Sequence, residues 1–424
     1  MSEFGLRAIS GGGYFVLLGA AWLLSNNRGA INRRTVTAGV ALQLVLALAL
    51  LATPLRELLF PVFEALVGGL INWTQAGAGF LFGPLLDVGD NFALSALPII
   101  IFMGSVFGIL YHIGWIQQII RVLARVLSRS MNISGAEAFA AAANVFVGMT
   151  EAGFAIAPYL ARMTRSELFS FMTVGMATIA GSVLVAYAKI LGEASYAGHL
   201  VVASLISVPA ALVVAKIMIP ETETPESLDS PLEGPLEGPL EGPLEGPLEG
   251  TQALNVIDAA AMGALTGLRL ALNVGALLIA FVALVAFANS LIGGVGEWAG
   301  FEGLSLQKIL GWAFSPVALV MGIPAGEARE VGALIGVKTV LNEFIAYQDL
   351  AAAVARGALT ERSAIISSYA LCGFANFGSL AIMLGGVDAL APERRPEAAE
   401  LGMRSIVAGT IATCLTACIA GVIH

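Results

Sequence analysis

The chain reads as an all-α polytopic membrane protein: eight transmembrane helices, two opposed re-entrant helical hairpins and interfacial amphipathic helices, arranged as an inverted repeat. Three observations predict this class. Of 424 residues, 58% are hydrophobic and 12% charged, with a mean hydropathy of +0.86, where a soluble domain carries about 25% charged residues. Two apolar runs, 138–160 and 335–351, are each interrupted at membrane depth by an acid and an asparagine. A low-complexity stretch, 220–252, separates two halves of like organisation.

Charge and cysteine usage exclude several classes. The net charge of −9 owes much to the five Glu at 231–250 within that stretch, and no basic stripe of the kind that tracks nucleic acid is present, so no nucleic-acid partner is expected. Cys372, Cys414 and Cys418 lie in apolar runs and read as small buried hydrophobes. His112, His199 and His424 are scattered, so neither a histidine metal cluster nor a catalytic constellation is expected. The first apolar run, 14–24, resembles a signal segment in length; no convincing cleavage site follows and further spans do, which makes it the first transmembrane helix.

Taken in order, segments long enough to span begin near Tyr14, Val36, Phe92, Leu168, His199, Leu270, Ala364 and Arg404, at ~17–25 residues per helix. Segment 55–83 carries Arg56, Glu57, Glu64, Asn72 and Pro61 and is expected to lie at the interface. Segment 116–130 sets Arg121, Arg125 and Arg129 at four-residue spacing opposite an apolar face, the pattern of an amphipathic surface helix. Segment 304–314, with Trp312, is expected to be a third such helix. The organisation is then 1–91 (two spans and an interfacial helix), 92–219 (first repeat half), 220–252 (linker) and 253–424 (second half).

Orientation follows from arginine. Arg28, Arg33, Arg34, Arg121, Arg125, Arg129, Arg162, Arg165, Arg394, Arg395 and Arg404 fall on one side if both termini lie outside, and the positive-inside bias makes that side the cytoplasm. Arg356 and Arg362 fall on the other. This scheme requires runs 138–160 and 335–351 each to enter and leave on one side, as re-entrant hairpins. The linker, with five tandem PLEG units at 231–250, is expected to be a disordered cytoplasmic loop.

The chemistry concentrates in the hairpins. Run 144–151, NVFVGMTE, places Asn144, Thr150 and Glu151 at membrane depth, and run 337–347, VKTVLNEFIAY, places Lys338, Asn342 and Glu343 there. An ionisable residue in that position costs roughly 2.5–3.5 kcal/mol and usually faces a functional cavity. Unpaired backbone groups at a hairpin tip are tolerated only when buried or lining a wet cavity, where they serve as ligands. Asn144 and Thr178 side chains with nearby carbonyls offer neutral oxygens to Na⁺, and Glu151 and Glu343 accept hydrogen bonds from hydroxyls, which suits a sugar. Lys338 reads either as a counter-ion to Glu343 or as a snorkelling surface residue. Each half also contains a span with a polar interruption, 175–181 (GMATIAG) and 372–379 (CGFANFGS).

At NVFVGxTEA, at GxKxxxNEFxAY (Gly336, Lys338, Asn342 to Phe344, Ala346, Tyr347) and at GFANFxS (Gly373 to Phe377, Ser379), the chain resembles the concentrative nucleoside transporter family. The resemblance implies a homotrimer embedded in the bilayer, each protomer moving a transport domain across a scaffold domain. It implies that Gly148, Met149, Thr150 and Glu151 face the nucleobase, with Val183 and Phe374 packing on it, and that Glu343, Asn376 and Ser379 bind the ribose hydroxyls. It implies a sodium ion held by the Asn144 and Thr178 side chains and the Val147 and Ile179 carbonyls, with Thr150 as a further ligand. Two residues depart from the family pattern: Met149 stands where glutamine is common, and Gly153 where proline is. Methionine lacks the paired hydrogen bonds an amide offers a base, so a broader or purine-tolerant site is expected.

The reading is a bacterial inner-membrane, cation-coupled nucleoside symporter with no covalent cofactor. Na⁺ is the expected coupling ion, and H⁺ carried by Glu151 or Glu343 the alternative. A membrane-embedded hydrolase would place paired acids on spanning helices beside a water path or metal ligands, which this chain does not do. A ligand sensor on a transporter fold would bind nucleoside without exchanging it.

Overall fold

The computed structural model describes residues 2–88, 92–192, 195–225, 253–298, 300–301 and 303–424, with side chains described at all of these except 87, 88, 150, 151 and 195. The PLEG repeat lies outside the described residues. Helices α1 (Glu3–Leu23), α2 (Arg33–Leu51) and α3 (Leu55–Phe82) come first. A first half follows: α4 (Phe92–Ser95), α5 (Leu97–His112), α6 (Trp115–Met131), a hairpin of α7 (Gly135–Val147), α8 (Met149–Ala155) and α9 (Ala157–Leu160), a broken span of α10 (Arg165–Ala177) and α11 (Gly181–Ile190), and α12 (Ser195–Met218). The second half repeats that order: α13 (Val256–Trp298), α14 (Leu306–Val320), a hairpin of α15 (Ala328–Val340) and α16 (Glu343–Ala355), a broken span of α17 (Glu361–Leu371) and α18 (Phe377–Leu390), and α19 (Arg395–Ile423).

Seven stretches among the described residues are long and apolar enough to cross a membrane, and they correspond to seven of the eight expected spans. The eighth, near Ala364, is the broken pair α17–α18, neither part of which is long enough alone. The helices of the first and sixth spans, α1 and α13, begin well ahead of their apolar cores, at Glu3 and Val256. Segment 55–83 is one helix, α3, and is not among the seven. In α6 the buried residues Ile116, Ile120, Ala124, Leu127 and Met131 form a single stripe while Arg125 and Arg129 are exposed, as its periodicity predicts.

Polar side chains open both broken spans and restart the helix at both breaks of the second half, whereas α8 and α11 restart after Gly148 and Ala180 without a side-chain cap. The Thr164 hydroxyl accepts from Glu167 N while the Glu167 carboxylate accepts from Thr164 N, a capping box that opens α10. Thr360 caps α17, Asn342 caps α16 and Asn376 caps α18, each side chain accepting from a backbone N–H three residues on.

The two ends of α19 fix two sides of the molecule, because 29 residues of α-helix span roughly 43 Å. At its first end, Arg394 donates to the carbonyls of Ala161 and Met163 (3.0 and 2.6 Å), Arg165 pairs with Glu400 (2.6 Å), and Arg404 donates to Leu24 O (2.9 Å). The base of the first hairpin is therefore on this side. At the far end, Arg7 donates to His424 O (2.9 Å) and Arg362 donates to Gly322 O and Gly421 O (2.7 and 2.6 Å). Thr360 there donates to Glu327 and Arg356 pairs with Glu330 (2.8 Å). The base of the second hairpin is on this opposite side, so the hairpins enter from opposite faces. The two arginines that break the charge asymmetry, Arg356 and Arg362, are held by a carboxylate and by carbonyls, as Arg165 and Arg394 are on the other side.

The first helices of the two halves, α5 and α13, cross backbone to backbone. A Cβ on Gly104 would lie 2.3 Å from Gly263 O, and one on Gly267 would lie 2.6 Å from Ile100 O. These pairs, with Gly108 against Ala259 O, run antiparallel, and Ser105 Oγ donates to Ala260 O (2.8 Å). Small residues at four-residue spacing permit this approach where lipid offers no hydrophobic drive for association. Gly294 on the same helix faces open space. Gly263→Ala is expected to lower the thermal midpoint in detergent, since overpacking against backbone costs about 1–3 kcal/mol. Gly294→Ala, with the same gain in helix propensity, is expected to leave the midpoint unchanged or raise it. Equal responses of the two variants in a thermal-shift assay would show that the crossing tolerates a methyl group.

Candidate functional site

The tips of the opposed hairpins meet at one cavity of about 150 Å³. Val147, Gly148 and Met149 line it from the first tip, and Leu341, Asn342, Glu343 and Phe344 from the second. The broken spans close its sides at their breaks, with Ser182 and Val183 from the first turn of α11 and Phe374, Asn376 and Ser379 from the start of α18 and the residues before it. Leu270, Val274, Leu277 and Phe281 of α13 form an apolar wall.

The breaks converge because glycines let backbones touch. Gly148 ends α7 and precedes α8 at φ 96°, in the region that L side chains rarely adopt. A Cβ on Gly175 would lie 3.1 Å from Met149 Cβ and 3.4 Å from Asn144 Nδ2, and one on Gly373 would lie 2.8 Å from Met176 O. The glycines in the two polar interruptions are thus contact points between the breaks.

Glu343 is the first residue of α16 and is buried, with both carboxylate oxygens engaged. Tyr187 Oη donates to Oε1 (2.9 Å) and Asn376 Nδ2 donates to Oε2 (2.8 Å). Its place at a helix N-terminus favours negative charge. Each oxygen has further acceptor capacity toward the cavity. Tyr187 is itself stacked on Tyr347 at 4.7 Å and meets Phe344 edge-on at 4.8 Å, and Tyr347 Oη donates to Ser368 O (3.0 Å). The carboxylate is therefore held by an aromatic stack that spans both halves. Asn376 serves twice, since its Oδ1 accepts from Ser379 N (2.8 Å) while its amide donates to Glu343.

Of the residues singled out in the sequence, Val147, Gly148, Met149, Val183, Glu343, Phe374, Asn376 and Ser379 line the cavity together. Thr150 and Glu151 are the second and third residues of α8, and their side chains lie outside the described residues. Asn144, Thr178 and Ile179 are buried behind the cavity wall. The Thr178 hydroxyl donates to Val174 O (2.8 Å), and Ser204 Oγ is 3.4 Å from Ile179 O as its donor. Asn144 Nδ2 is a buried amide nitrogen without a hydrogen-bond partner among the described residues. Lys338 is neither a snorkelling residue nor an ion-pair partner of Glu343: it is fully buried and donates to Ala370 O (2.8 Å) and Thr413 Oγ1 (3.1 Å).

Sequence reasoning missed Tyr187 and the α13 wall. Tyr187 was findable, because it lies one helical turn beyond Val183 on the same face of α11. The wall was not: Leu270, Val274, Leu277 and Phe281 carry the i, i+4, i+7, i+11 spacing of any apolar helix face. Met149 also borders a second, smaller pocket beside Gly153, Phe171, Met383 and Val387.

Family models described as Na⁺ dependent nucleoside transporter N-terminus and C-terminus match residues 12–85 and 199–421, and one described as nucleoside recognition, Gate, matches residues 93–194. The chain is 43% identical to the uncharacterized transporter YutK of Bacillus subtilis, covering 96% of this chain and 97% of that one. It is 37% identical to the putative nucleoside permease NupX of Escherichia coli (96% and 97%). It is 35% identical to human sodium/nucleoside cotransporter 1, over 99% of this chain and 64% of the human one. Among solved structures, CNTnw in an inward-facing substrate-bound state superposes with a TM-score of 0.89 at 40% identity, covering 99% of this chain and 98% of that chain. With all three family models matched in order and full-length relatives well above 30% identity, the chain is a multi-pass membrane protein that belongs to the concentrative, Na⁺-dependent nucleoside transporter family.

Proposed function

We propose that the protein is a bacterial inner-membrane symporter that imports nucleosides with a cation, Na⁺ in preference to H⁺, by an elevator motion of a domain carrying both hairpins. The observation that carries this reading is Glu343: a buried carboxylate between two hairpin tips, its inner lone pairs taken by Tyr187 and Asn376 and its outer ones directed at the cavity. Adjacent ribose hydroxyls are the donor pair such a carboxylate recognises, with Asn376 and Ser379 as neighbours. The base would lie toward Gly148, Met149, Thr150 and Glu151, between Val183 and Phe374. Both termini would be periplasmic and the PLEG loop cytoplasmic, in keeping with the arginine-rich side that holds Arg165, Arg394 and Arg404. Exposed apolar residues on α3 and α13, including Trp73, Phe80, Ile279 and Phe287, would face lipid and the partner subunits of a homotrimer.

The ion would sit where α7 and α10 end, held by the Asn144 and Thr178 side chains and the Val147 and Ile179 carbonyls, with Thr150 as a further ligand. These are neutral oxygens at two negative helix ends, the donor set of a monovalent cation. An ion there joins the tip of the first hairpin to the unwound span, and a nucleoside at Glu343 closes the same tips. Each therefore favours the state the other needs, which is the thermodynamic content of coupling.

Glu343→Gln keeps the shape and replaces one acceptor by a donor. A hydrogen bond to a charged group contributes about 1.5–3 kcal/mol, so uridine affinity is expected to fall roughly ten- to hundredfold. 2′,3′-Dideoxyuridine is expected to compete poorly against the unsubstituted protein and nearly as well as uridine against the variant. Equal discrimination in both proteins would place the ribose elsewhere.

Proteoliposomes given an inward Na⁺ gradient, an inward H⁺ gradient or neither are expected to take up labelled uridine with Na⁺ alone, and Asn144→Ala to abolish the response. Uptake driven only by H⁺ would move coupling to a glutamate, and binding without exchange in counterflow would indicate a sensor.

Met149 is nearly buried, half committed to the small apolar pocket. Met149→Gln, which restores an amide, is expected to raise the uridine-to-adenosine uptake ratio several-fold. An unchanged ratio would mean that residue 149 does not touch the base.

A further inference from the structure

The two halves of the repeat build the same electrostatic feature twice. In the first half, α7 ends at Val147 and α10 ends at Ala177, and the two C-termini meet beside Asn144 and Thr178. In the second, α15 ends at Val340 and α17 ends at Leu371. Each pair brings two negative helix ends together inside the protein, with carbonyls that no further helical turn satisfies. Such a junction calls for a cation or for donors. Asn144 and Thr178 supply only neutral groups at the first junction. Lys338 lies in the last turn of α15 at the second, fully buried. Its ammonium donates to Ala370 O in the last turn of α17 and to Thr413 Oγ1 of α19 (2.8 and 3.1 Å), and no carboxylate lies within ion-pair distance among the described residues.

An ammonium buried without a carboxylate is costly unless its surroundings stabilise the charge. Here the stabilising groups are a carbonyl, a hydroxyl and two helix C-termini, which are neutral oxygens of the kind that coordinate a monovalent metal ion. We propose that Lys338 is a tethered cation: it fills, at the hairpin–broken-span junction of the second half, the place a mobile coupling ion fills in the first. One half thus depends on an ion from solution and the other carries its ion covalently, so an architecture with two equivalent cation positions couples to one. This assignment of the first junction rests on the ion reading given above, whereas the second junction stands on the contacts of Lys338. Lys338 is a positioning residue in this scheme, because it holds the second hairpin against the broken span and leaves Glu343 to meet the substrate.

The test is the Na⁺ dependence of uridine affinity, measured by calorimetry on purified full-length protein with choline replacing Na⁺. The slope of log Kd against log [Na⁺] counts the ions taken up with uridine. Lys338→Arg keeps the charge and is expected to keep the slope of the unsubstituted protein. Lys338→Asn removes the charge, opens room and supplies an oxygen, as Asn144 does, and its slope is expected to be steeper by about one ion. Its thermal midpoint is expected to rise with Na⁺ more than that of the unsubstituted protein. Lys338→Met fills the space without charge and is expected to lose uridine binding at every Na⁺ concentration while still eluting as a folded species. An unchanged slope in Lys338→Asn, or ordinary binding by Lys338→Met, would overturn the tethered-cation assignment. If Lys338→Asn does not fold even in high Na⁺, the assignment also falls, because an external ion should substitute for the lost charge. A slope of zero in the unsubstituted protein would instead sink the ion site at Asn144, and the difference between the two slopes would still decide Lys338.

Discussion

The rest of the structure depends on one constraint: a helix interrupted inside a membrane leaves carbonyls and N–H groups that water cannot reach. This chain interrupts four helical segments and gathers all four breaks in one place. Gly373 against Met176 and Gly175 against Met149 bring the broken ends into van der Waals contact, and Asn342 and Asn376 cap the restarting helices. N-termini and C-termini are sorted as a result. The starts of α8, α11, α16 and α18 supply most of the lining, whereas the ends of α10 and α17 lie behind the wall and only Val147 of α7 and Leu341 after α15 reach the cavity. Anion-favouring and cation-favouring positions are thereby separated within one buried region.

That sorting explains why Glu343 tolerates burial. Its carboxylate sits at the start of α16, accepts from Tyr187 and Asn376, and is backed by the Tyr187–Tyr347 stack. Partners come from both halves of the repeat, so the carboxylate is correctly held only when the second hairpin is docked against both broken spans. A site built this way reports the state of the whole assembly of breaks, because moving either broken span removes a donor from a buried charge. Removing such a partner costs far more than an exposed hydrogen bond contributes.

Much of this was legible in the sequence, for a physical reason. Polar residues inside apolar runs are expensive, so Asn144, Lys338, Asn342 and Glu343 marked the hairpins by their cost alone, and arginine asymmetry required the hairpins to enter from opposite sides. The polar interruptions at 175–181 and 372–379 stood out for the same reason. What was hidden depended on packing between distant segments. The α5–α13 crossing brings residues 104 and 263 together, and neither glycine pair differs by itself from the many glycines of an apolar chain. Tyr187 shares a helix face with Val183, but its partner Glu343 comes from the second hairpin, 156 residues on. Lys338 could be read as a counter-ion from its five-residue separation from Glu343, but the ammonium turns away to Ala370 and Thr413.

The direction in which Lys338 points bears on how the site is kept balanced. An ion pair with Glu343 would occupy the lone pairs that a polar solute needs, and each arriving substrate would have to break it. With the ammonium at the carbonyl end of α17, its charge stabilises the broken backbone at a distance while the carboxylate keeps open acceptor positions. Tyr187 and Asn376 are neutral donors, which lower the cost of the buried charge without neutralising it. Lys338 and Glu343 are therefore kept apart, the cation on the broken backbone and the anion, in the function proposed above, on the solute, while Leu270, Val274, Leu277 and Phe281 form the apolar side of the cavity.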